Sequence, residues 1–264
     1  MAELRIVAVA PCLNEAPSVA RVVENLRPRV HRLIVVDNGS TDGTGDIARA
    51  AGADVVREER RGYGYACYAG VLAAPDADVI VLLDGDAADD PDDLPRILAP
   101  LLSGQADLVV GSRSMGTREA GSMTPQQVVG NQIAAWLMGW IYGVKVTDLG
   151  PFRCIRRDDL LALGMQEMTY GWSVEMMVKA ARAGYRYDEV PVRYMRRIGV
   201  SKVGGTLKGS LKAGWCIVST TLRYSRWTPR MSFRGQRGIS TTARATTAPP
   251  HRDSRGPSSL RSSG

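Results

Sequence analysis

The sequence predicts an α/β fold in which a mostly parallel sheet carries helices on both faces. Short apolar runs rich in β-branched residues alternate with segments of helical periodicity, in the rhythm strand, helix, strand, helix. The first run, 4–10, is nearly continuous in apolar residues, which is typical of a parallel strand covered on both faces. Alternating units of this length require right-handed crossovers, and these produce a doubly wound sheet.

Short sequence signals indicate where the individual strands, helices and turns lie. Pro17 and Pro91 suit the first turn of a helix, because their fixed φ is helical. The segment 37–43 is dense in residues that turn the chain and cap helices, and 148–153 marks another sharp turn. The patterns predict strands at 4–10, 33–36, 54–57, 79–83, 106–110 and within 187–194, and helices at 17–26, 45–51, 65–74, 91–102, 126–142, from 158, from 171 and at 207–224.

The positive charge is concentrated at the end of the chain. Of the formal charge of +7 on 264 residues, 228–264 contribute seven Arg and one Asp, a net of +6, which leaves +1 for residues 1–227. We therefore expect a folded domain over 1–227 that does not bind nucleic acid. The tail at 228–264 is rich in Ser, Thr, Arg and Pro and poor in apolar residues, so we expect it to be disordered.

Cysteine usage and hydropathy favour a cytoplasmic protein. The four cysteines are scattered without a C-x-x-C pair, as reduced thiols are. Glu3 and Arg5 interrupt the apolar start, unlike a signal peptide, and no apolar run reaches the ~20 residues that span a bilayer. The apolar helix 126–142 lacks a basic face, so we expect it to pack in the core rather than on a membrane. Peripheral contact with the inner face of a membrane is left open.

A D-x-D triplet, Asp84-Gly85-Asp86, follows the apolar run 79–83, so both carboxylates are expected where that strand leaves the sheet. In an open α/β sheet, the crevice beyond the carboxyl ends of the strands is the usual ligand site. Two oxygen ligands there suit Mg²⁺ or Mn²⁺, which fill their other positions with water and substrate phosphates. The alternative is a solvated acidic turn, since four more Asp follow between residues 89 and 93.

Two glycine-containing segments indicate which kind of phosphate-bearing ligand the protein binds: a nicotinamide dinucleotide or another. The first strand is not followed by the glycine fingerprint of dinucleotide enzymes, and its nearest match, Gly62-Tyr63-Gly64, has Cys67 in the position of the third glycine. A nicotinamide cofactor is therefore disfavoured. The loop 196–205 combines Arg196 and Lys202 with several glycines, which suits a phosphate-bearing ligand.

Taken in order, these motifs resemble family 2 glycosyltransferases of the GT-A type, whose fold is Rossmann-like, and within them the dolichyl- and polyprenyl-phosphate sugar transferases. The resemblance covers about 4–224. It rests on Pro11, Leu13 and Glu15 in a first nucleotide-binding turn, a second turn at 37–43 with Asn38 in place of the usual Asp, a basic glycine turn with Arg61 and Gly64, the metal triplet, and stretches at 111–113, 148–153 and 196–202.

The resemblance implies transfer of a sugar from a UDP- or GDP-sugar with inversion at the anomeric carbon. Glu175, near the start of a helix, is the candidate base if the acceptor is a hydroxyl, although an acid there also stabilises the helix dipole. The implied roles are Asp84 and Asp86 as ligands of Mg²⁺ or Mn²⁺, Gly85, Pro11, Leu13, Glu15, Asp37 and Gly64 as contacts of the nucleotide sugar, Arg196 and Lys202 over its phosphates, and Arg113 facing a donor or acceptor phosphate.

Three alternatives stay open at this point. The acceptor is expected to be a polyprenyl phosphate, and a soluble hydroxyl compound is the other acceptor class. A sugar-phosphate nucleotidyltransferase would share the layers and the metal carboxylates, but it needs a long Gly-rich loop after the first strand, and Pro11 to Glu15 is not such a loop. A non-catalytic nucleotide-sugar-binding protein would keep the binding turns without an acceptor site.

Overall fold

The computed structural model describes residues 4–199 and 207–229, with side chains from Gly214 onward in the second range. Lys202 and the predicted tail beyond Pro229 lie outside the described residues. The strands are β1 (Ile6–Cys12), β2 (Arg32–Asp37), β3 (Asp54–Arg57), β4 (Val79–Leu82), β5 (Leu108–Ser112), β6 (Arg153–Arg156) and β7 (Tyr187–Pro191). The α-helices are α1 (Ala16–Leu26), α2 (Thr44–Ala50), α3 (Tyr63–Leu72), α4 (Leu94–Leu102), α5 (Pro125–Tyr142), α6 (Arg157–Ala162), α7 (Trp172–Arg182) and α8 (Leu207–Arg223), and short 3₁₀ helices occupy Arg27–Arg29, Pro91–Asp93 and Tyr224–Arg226.

The seven strands form one sheet in the order β3-β2-β1-β4-β6-β5-β7. Strand β6 is antiparallel to both of its neighbours, β4 and β5, and the other pairs are parallel. The predicted mostly parallel sheet is therefore confirmed. Because the strand order reverses between β1 and β4, their carboxyl ends border the crevice in which such folds bind ligands.

Strand β6 is the one strand of this sheet that the sequence pattern does not predict. It is four residues long, and Arg153 and Arg156 flank only two apolar residues. The guanidinium of Arg153 is buried nonetheless, and it donates hydrogen bonds to the backbone carbonyls of Leu149, Gly150 and Ser173. The buried charge is thus satisfied by carbonyl oxygens, which a hydropathy pattern does not reveal.

Helices cover both faces of the sheet, as predicted. Side chains of β1 alternate: Val7 and Val9 enter one apolar layer, and Ala8 and Ala10 enter the other. Helices α3, α5, α6 and α7 contribute to the first layer, and α1, α2 and α4 contribute to the second.

Helix α5 departs from the prediction that it packs in the core. One face does so through Asn131, Ala134 and Met138, but Trp136 and Trp140 on the other face are exposed. The expectation is therefore correct for one face only, because an apolar sequence does not say which of its residues meet the sheet. None of the helices in the described ranges is long and apolar enough to cross a membrane.

A buried ion pair fastens the segment before α7 to that helix. Glu175 and Lys179, one helical turn apart, have no exposed side-chain surface, and Nζ of Lys179 lies 2.6 Å from Oε1 of Glu175. The carboxylate also accepts hydrogen bonds from the backbone N–H groups of Gln166 and Glu167, and Lys179 donates to the carbonyl of Gly164. Both charges are therefore occupied within the fold.

We expect Glu175→Ala to lower the free energy of unfolding by about 3–5 kcal/mol, because it leaves the buried Lys179 ammonium without its counter-ion. Urea denaturation followed by circular dichroism measures this change. The double variant Glu175→Leu/Lys179→Met, which removes both charges, should recover much of the loss. A loss below about 1 kcal/mol for the single variant, the size typical of a surface pair, would contradict a structural role.

Candidate active site

A pocket of about 340 Å³ opens where the carboxyl ends of β1, β2 and β4 meet the start of α3. This is the position that the fold favours for a ligand, and the volume suits a small molecule. The pocket is lined by Pro11, Cys12, Leu13, Glu15, Asn38, Arg61, Gly62, Tyr63, Ala66, Asp84, Gly85, Asp86, Thr169, Tyr170 and Arg197.

The acidic triplet forms one wall of this pocket. The Cβ atom of any larger residue at Gly85 would lie 2.2 Å from Sγ of Cys12, so only glycine lets the end of β4 approach β1 this closely. Ala87 adopts a positive φ of 61°, which is unfavourable for a residue with a side chain. Such strain at a turn is typical of functional sites, and here it follows directly after Asp86.

Asp84 lies in an environment that disfavours its charge. Removal from water, and then the neighbouring Asp86, raise the pKa of Asp84 to about 7. Within the described residues, Oδ1 of Asp84 and Oδ1 of Asp89 are buried and have no hydrogen-bond partner. Unpartnered buried carboxylate oxygens are costly, so these atoms are suited to a cation or a donor that the described residues do not supply.

These residues fit a Mg²⁺ or Mn²⁺ ion shared with a substrate. The described part of the chain has no group of three or more carboxylate, imidazole or thiol side chains that could enclose a metal. Asp84 and Asp86 are therefore the two ligating residues that the triplet offers, and water and phosphate oxygens would complete the coordination of the ion. This is the usual arrangement for Mg²⁺ at phosphate-binding sites.

Arg197, and not Arg196, reaches the triplet. Backbone hydrogen bonds from the N–H of Ile198 to the carbonyl of Asp86 (2.9 Å) and from the N–H of Met195 to the carbonyl of Ala88 (2.8 Å) hold this late segment against the acidic turn. The guanidinium of Arg197 forms an ion pair with Asp86.

The expectation for Arg196 is corrected accordingly. Its Nε atom donates to the carbonyl of Ala120, and its backbone N–H donates to Glu119, so the residue is exposed and faces away from the pocket. Neighbouring side chains of an extended segment point to opposite sides, so an error of one residue exchanges an inward arginine for an outward one. The other predicted basic residue, Lys202, lies outside the described residues.

The second predicted turn supports the pocket from behind. Asp37 accepts a hydrogen bond from the N–H of Ser40 (2.7 Å), and it does not line the pocket. Asn38 donates through Nδ2 to the carbonyls of Glu58 and Arg60 and accepts from the N–H of Gly62. An aspartate at 38 could not donate to two carbonyls, which explains why an amide occupies this position.

Gly64 supports the pocket and does not line it. A Cβ atom there would lie 2.6 Å from backbone atoms of Glu167 and Met168, so the missing side chain allows the segment 167–168 to pack on the first turn of α3. This packing brings Thr169 and Tyr170 into the pocket wall. Sequence reasoning missed both residues, as well as Cys12 and Tyr63, since no local motif marks them.

Two predicted catalytic residues do not reach the pocket. The Nε and Nη2 atoms of Arg113 donate to the carboxylate of Asp148 at 2.8 and 2.7 Å, and the guanidinium lies 4.9 Å from the ring centroid of Tyr194. Arg113 thus braces the loop after β5. Glu175 is enclosed by Lys179 and two backbone N–H groups, so it has no surface that an acceptor could contact. Its expected role as a base is corrected to a structural one.

Comparison with known proteins agrees with the fold. The fold is similar to that of glucosyl-3-phosphoglycerate synthase from Mycobacterium tuberculosis, which was solved in complex with Mn²⁺, UDP and phosphoglyceric acid. The TM-score is 0.69, and the two chains are 24% identical over 86% of this chain and 80% of the synthase chain. At this identity the likeness concerns the fold alone, and it confirms the predicted GT-A architecture.

Sequence relatives are closer. An uncharacterised glycosyltransferase of Mycobacterium tuberculosis is 41% identical over 83% of this chain and all of its own length. The undecaprenyl-phosphate mannosyltransferase of Micrococcus luteus is 32% identical (78% of this chain, 90% of its own), and the dolichyl-phosphate hexose transferase of Haloferax volcanii is 36% identical (72% and 81%). The model of glycosyl transferase family 2 matches residues 7–163. The chain is therefore a glycosyltransferase and belongs to family 2.

Proposed function

We propose that the chain transfers a sugar, with inversion, from a UDP- or GDP-sugar to the phosphate of a polyprenyl phosphate, using Mg²⁺ or Mn²⁺ bound by Asp84 and Asp86. The observation that carries the proposal is the pocket at the β1–β4 crevice, in which these two carboxylates face Arg61 and Arg197. Opposite charges arranged around one cavity suit a nucleoside diphosphate and its cation. The site of action would be the cytoplasmic face of a membrane.

The pocket walls suggest how the donor would bind. The turn from Pro11 to Glu15 and the side chain of Asn38 would border the nucleoside, because they lie at the ends of β1 and β2. Arg61 at the rim of the pocket and Arg197 would form ion pairs with the diphosphate. Arg197 would exchange its ion pair with Asp86 for one with the donor. A bound divalent ion would offset the charge that grows on the leaving nucleoside diphosphate.

The two acceptor classes differ in whether the reaction needs a base. In an inverting transfer, an acceptor oxygen attacks the anomeric carbon from the side opposite the nucleoside diphosphate, and the bond to that diphosphate breaks. A phosphate monoester is already an anion and needs no strong base, whereas a hydroxyl must lose a proton. Glu175, the base that the sequence indicates for a hydroxyl acceptor, is enclosed within the fold, and a phosphate acceptor does not require it. The names of the relatives from Micrococcus and Haloferax point to the same acceptor class.

Nucleotide release from a panel of UDP- and GDP-sugars tests the donor and the acceptor together. We expect Mn²⁺-dependent release from one donor to rise at least about tenfold when a short polyprenyl phosphate is added, because transfer replaces slow hydrolysis. The matching polyprenol without phosphate is the control. Slow hydrolysis at a rate that does not change when the lipid is added would favour a soluble acceptor. No nucleotide release from any donor would favour a non-catalytic nucleotide-sugar-binding protein.

We expect Asp86→Asn to lower kcat/KM by about a thousandfold or more, because it weakens an ion that stabilises several kcal/mol of developing charge. The amide keeps an oxygen that can accept the hydrogen bond from the N–H of Ala88, so the turn should persist. Asp92→Asn in the same acidic stretch is the matched control, since Asp92 is exposed and pairs only with Arg29 at the surface. Similar activity in the two variants would refute the metal assignment.

Arg197→Gln and Arg196→Gln form a second pair of variants. The first should lower kcat/KM by about 10–100-fold, which corresponds to the loss of a charge-assisted hydrogen bond to the donor phosphates. The second should change it less than about twofold, because Arg196 contacts the exposed loop at 119–120. Steady-state kinetics with varied donor measure both. A larger effect at Arg196 would show that the late segment changes its register when the donor binds.

A further inference from the structure

Helix α5 exposes a continuous apolar stripe on the face opposite the core. Val129, Ile133, Trp136 and Trp140 are spaced by four, three and four residues, which places them along one side of a helix. All four are exposed, and Trp136 and Trp140 are 65% and 74% accessible. Their rings stack with 5.8 Å between centroids. This exposed stripe is far more apolar than the surface of a solvated helix usually is.

Acidic residues are absent from the sequence around α5 and from the sequence around α8. From Glu119 to Asp148, which includes all of α5, the sequence contains no intervening acidic residue. From Val190 to Arg252 it contains thirteen Lys and Arg and no Asp or Glu, a net of +13, whereas residues 1–189 contain 19 basic and 26 acidic residues, a net of −7. The positive charge of the protein is therefore confined to the segment that includes α8.

Helices α5 and α8 adjoin each other. The hydroxyl of Tyr142, at the end of α5, donates to the carbonyl of Thr221 in α8. Helix α8 also exposes Trp215 and Leu222, seven residues apart and hence on one face, and Arg223 and Arg226 beside them are exposed as well. Tryptophan on exposed helices with flanking basic residues is typical of proteins that lie in the interface of a bilayer.

We propose that the stripe of Val129, Ile133, Trp136 and Trp140 docks on an anionic phospholipid surface, with the exposed Arg223 and Arg226 at the end of α8 adding attraction to the head groups. The tryptophan rings would lie at head-group depth, and each basic residue near the surface would add attraction. A second copy of the chain fits the stripe less well, because a two-fold contact through α5 would bring two basic α8 helices together. The docking goes beyond the proposed transfer reaction, since it needs neither donor nor acceptor.

Flotation of the full chain with vesicles tests this surface. The vesicles contain phosphatidylglycerol and phosphatidylcholine, or phosphatidylcholine alone, and no polyprenyl phosphate. We expect the protein to float with the anionic vesicles and to be released as salt is raised. The double variant Trp136→Gln/Trp140→Gln should bind at least about tenfold more weakly, because two rings no longer leave water. Its melting temperature should stay near that of the parent, since both rings are exposed and Gln is a good helix former.

Leu72→Gln on α3 is the matched control, because Leu72 is also exposed but lies outside the stripe; it should float as the parent does. Equal flotation of the double variant and the parent would overturn the proposal. So would a parent dimer in sedimentation velocity that the double variant dissociates without loss of vesicle binding, since the stripe would then join two copies. The nucleotide-release assay is independent of these vesicles, so either proposal can fail while the other stands.

Discussion

Asp84 and Asp86 repel each other, and the surrounding structure is arranged to hold them close together in spite of that repulsion. The pairing of β4 with β1 brings the triplet to the crevice, and the absence of a side chain at Gly85 lets it lie against Cys12. Ala87 accepts an unfavourable φ to turn the chain. Burial, and then the charge of Asp86, raise the pKa of Asp84. A cation bound at this site would offset the negative charge that burial disfavours.

Distant parts of the chain complete the crevice through backbone contacts. The segment 195–198 is fixed to the acidic turn by hydrogen bonds between main-chain atoms, and the segment 167–168 packs on α3 because Gly64 has no side chain. These backbone contacts position Arg197 and Tyr170 at the pocket. The pocket therefore depends on the order of the strands and on two glycines as much as on the residues that line it.

The sequence predicts features that depend on local periodicity, and it does not predict features that depend on tertiary packing. Alternating apolar runs and the turns after them predicted the sheet and the position of the triplet, because these features depend on local periodicity. Strand β6 was missed because carbonyl oxygens of a neighbouring turn satisfy its buried arginine. The sequence does not distinguish Arg196 from Arg197, or a catalytic Glu175 from a structural one, because the direction of a side chain in a loop or a helix is set by tertiary packing.

Two independent features of the chain support the same kind of acceptor. Glu175 is fully engaged by Lys179 and by backbone N–H groups, so its carboxylate is not available to deprotonate a hydroxyl. The exposed stripe on α5 and the excess of basic residues in the sequence 190–252 fit the proposed contact with an anionic bilayer. A lipid-linked phosphate satisfies both conditions, because it is already ionised and it resides in the membrane.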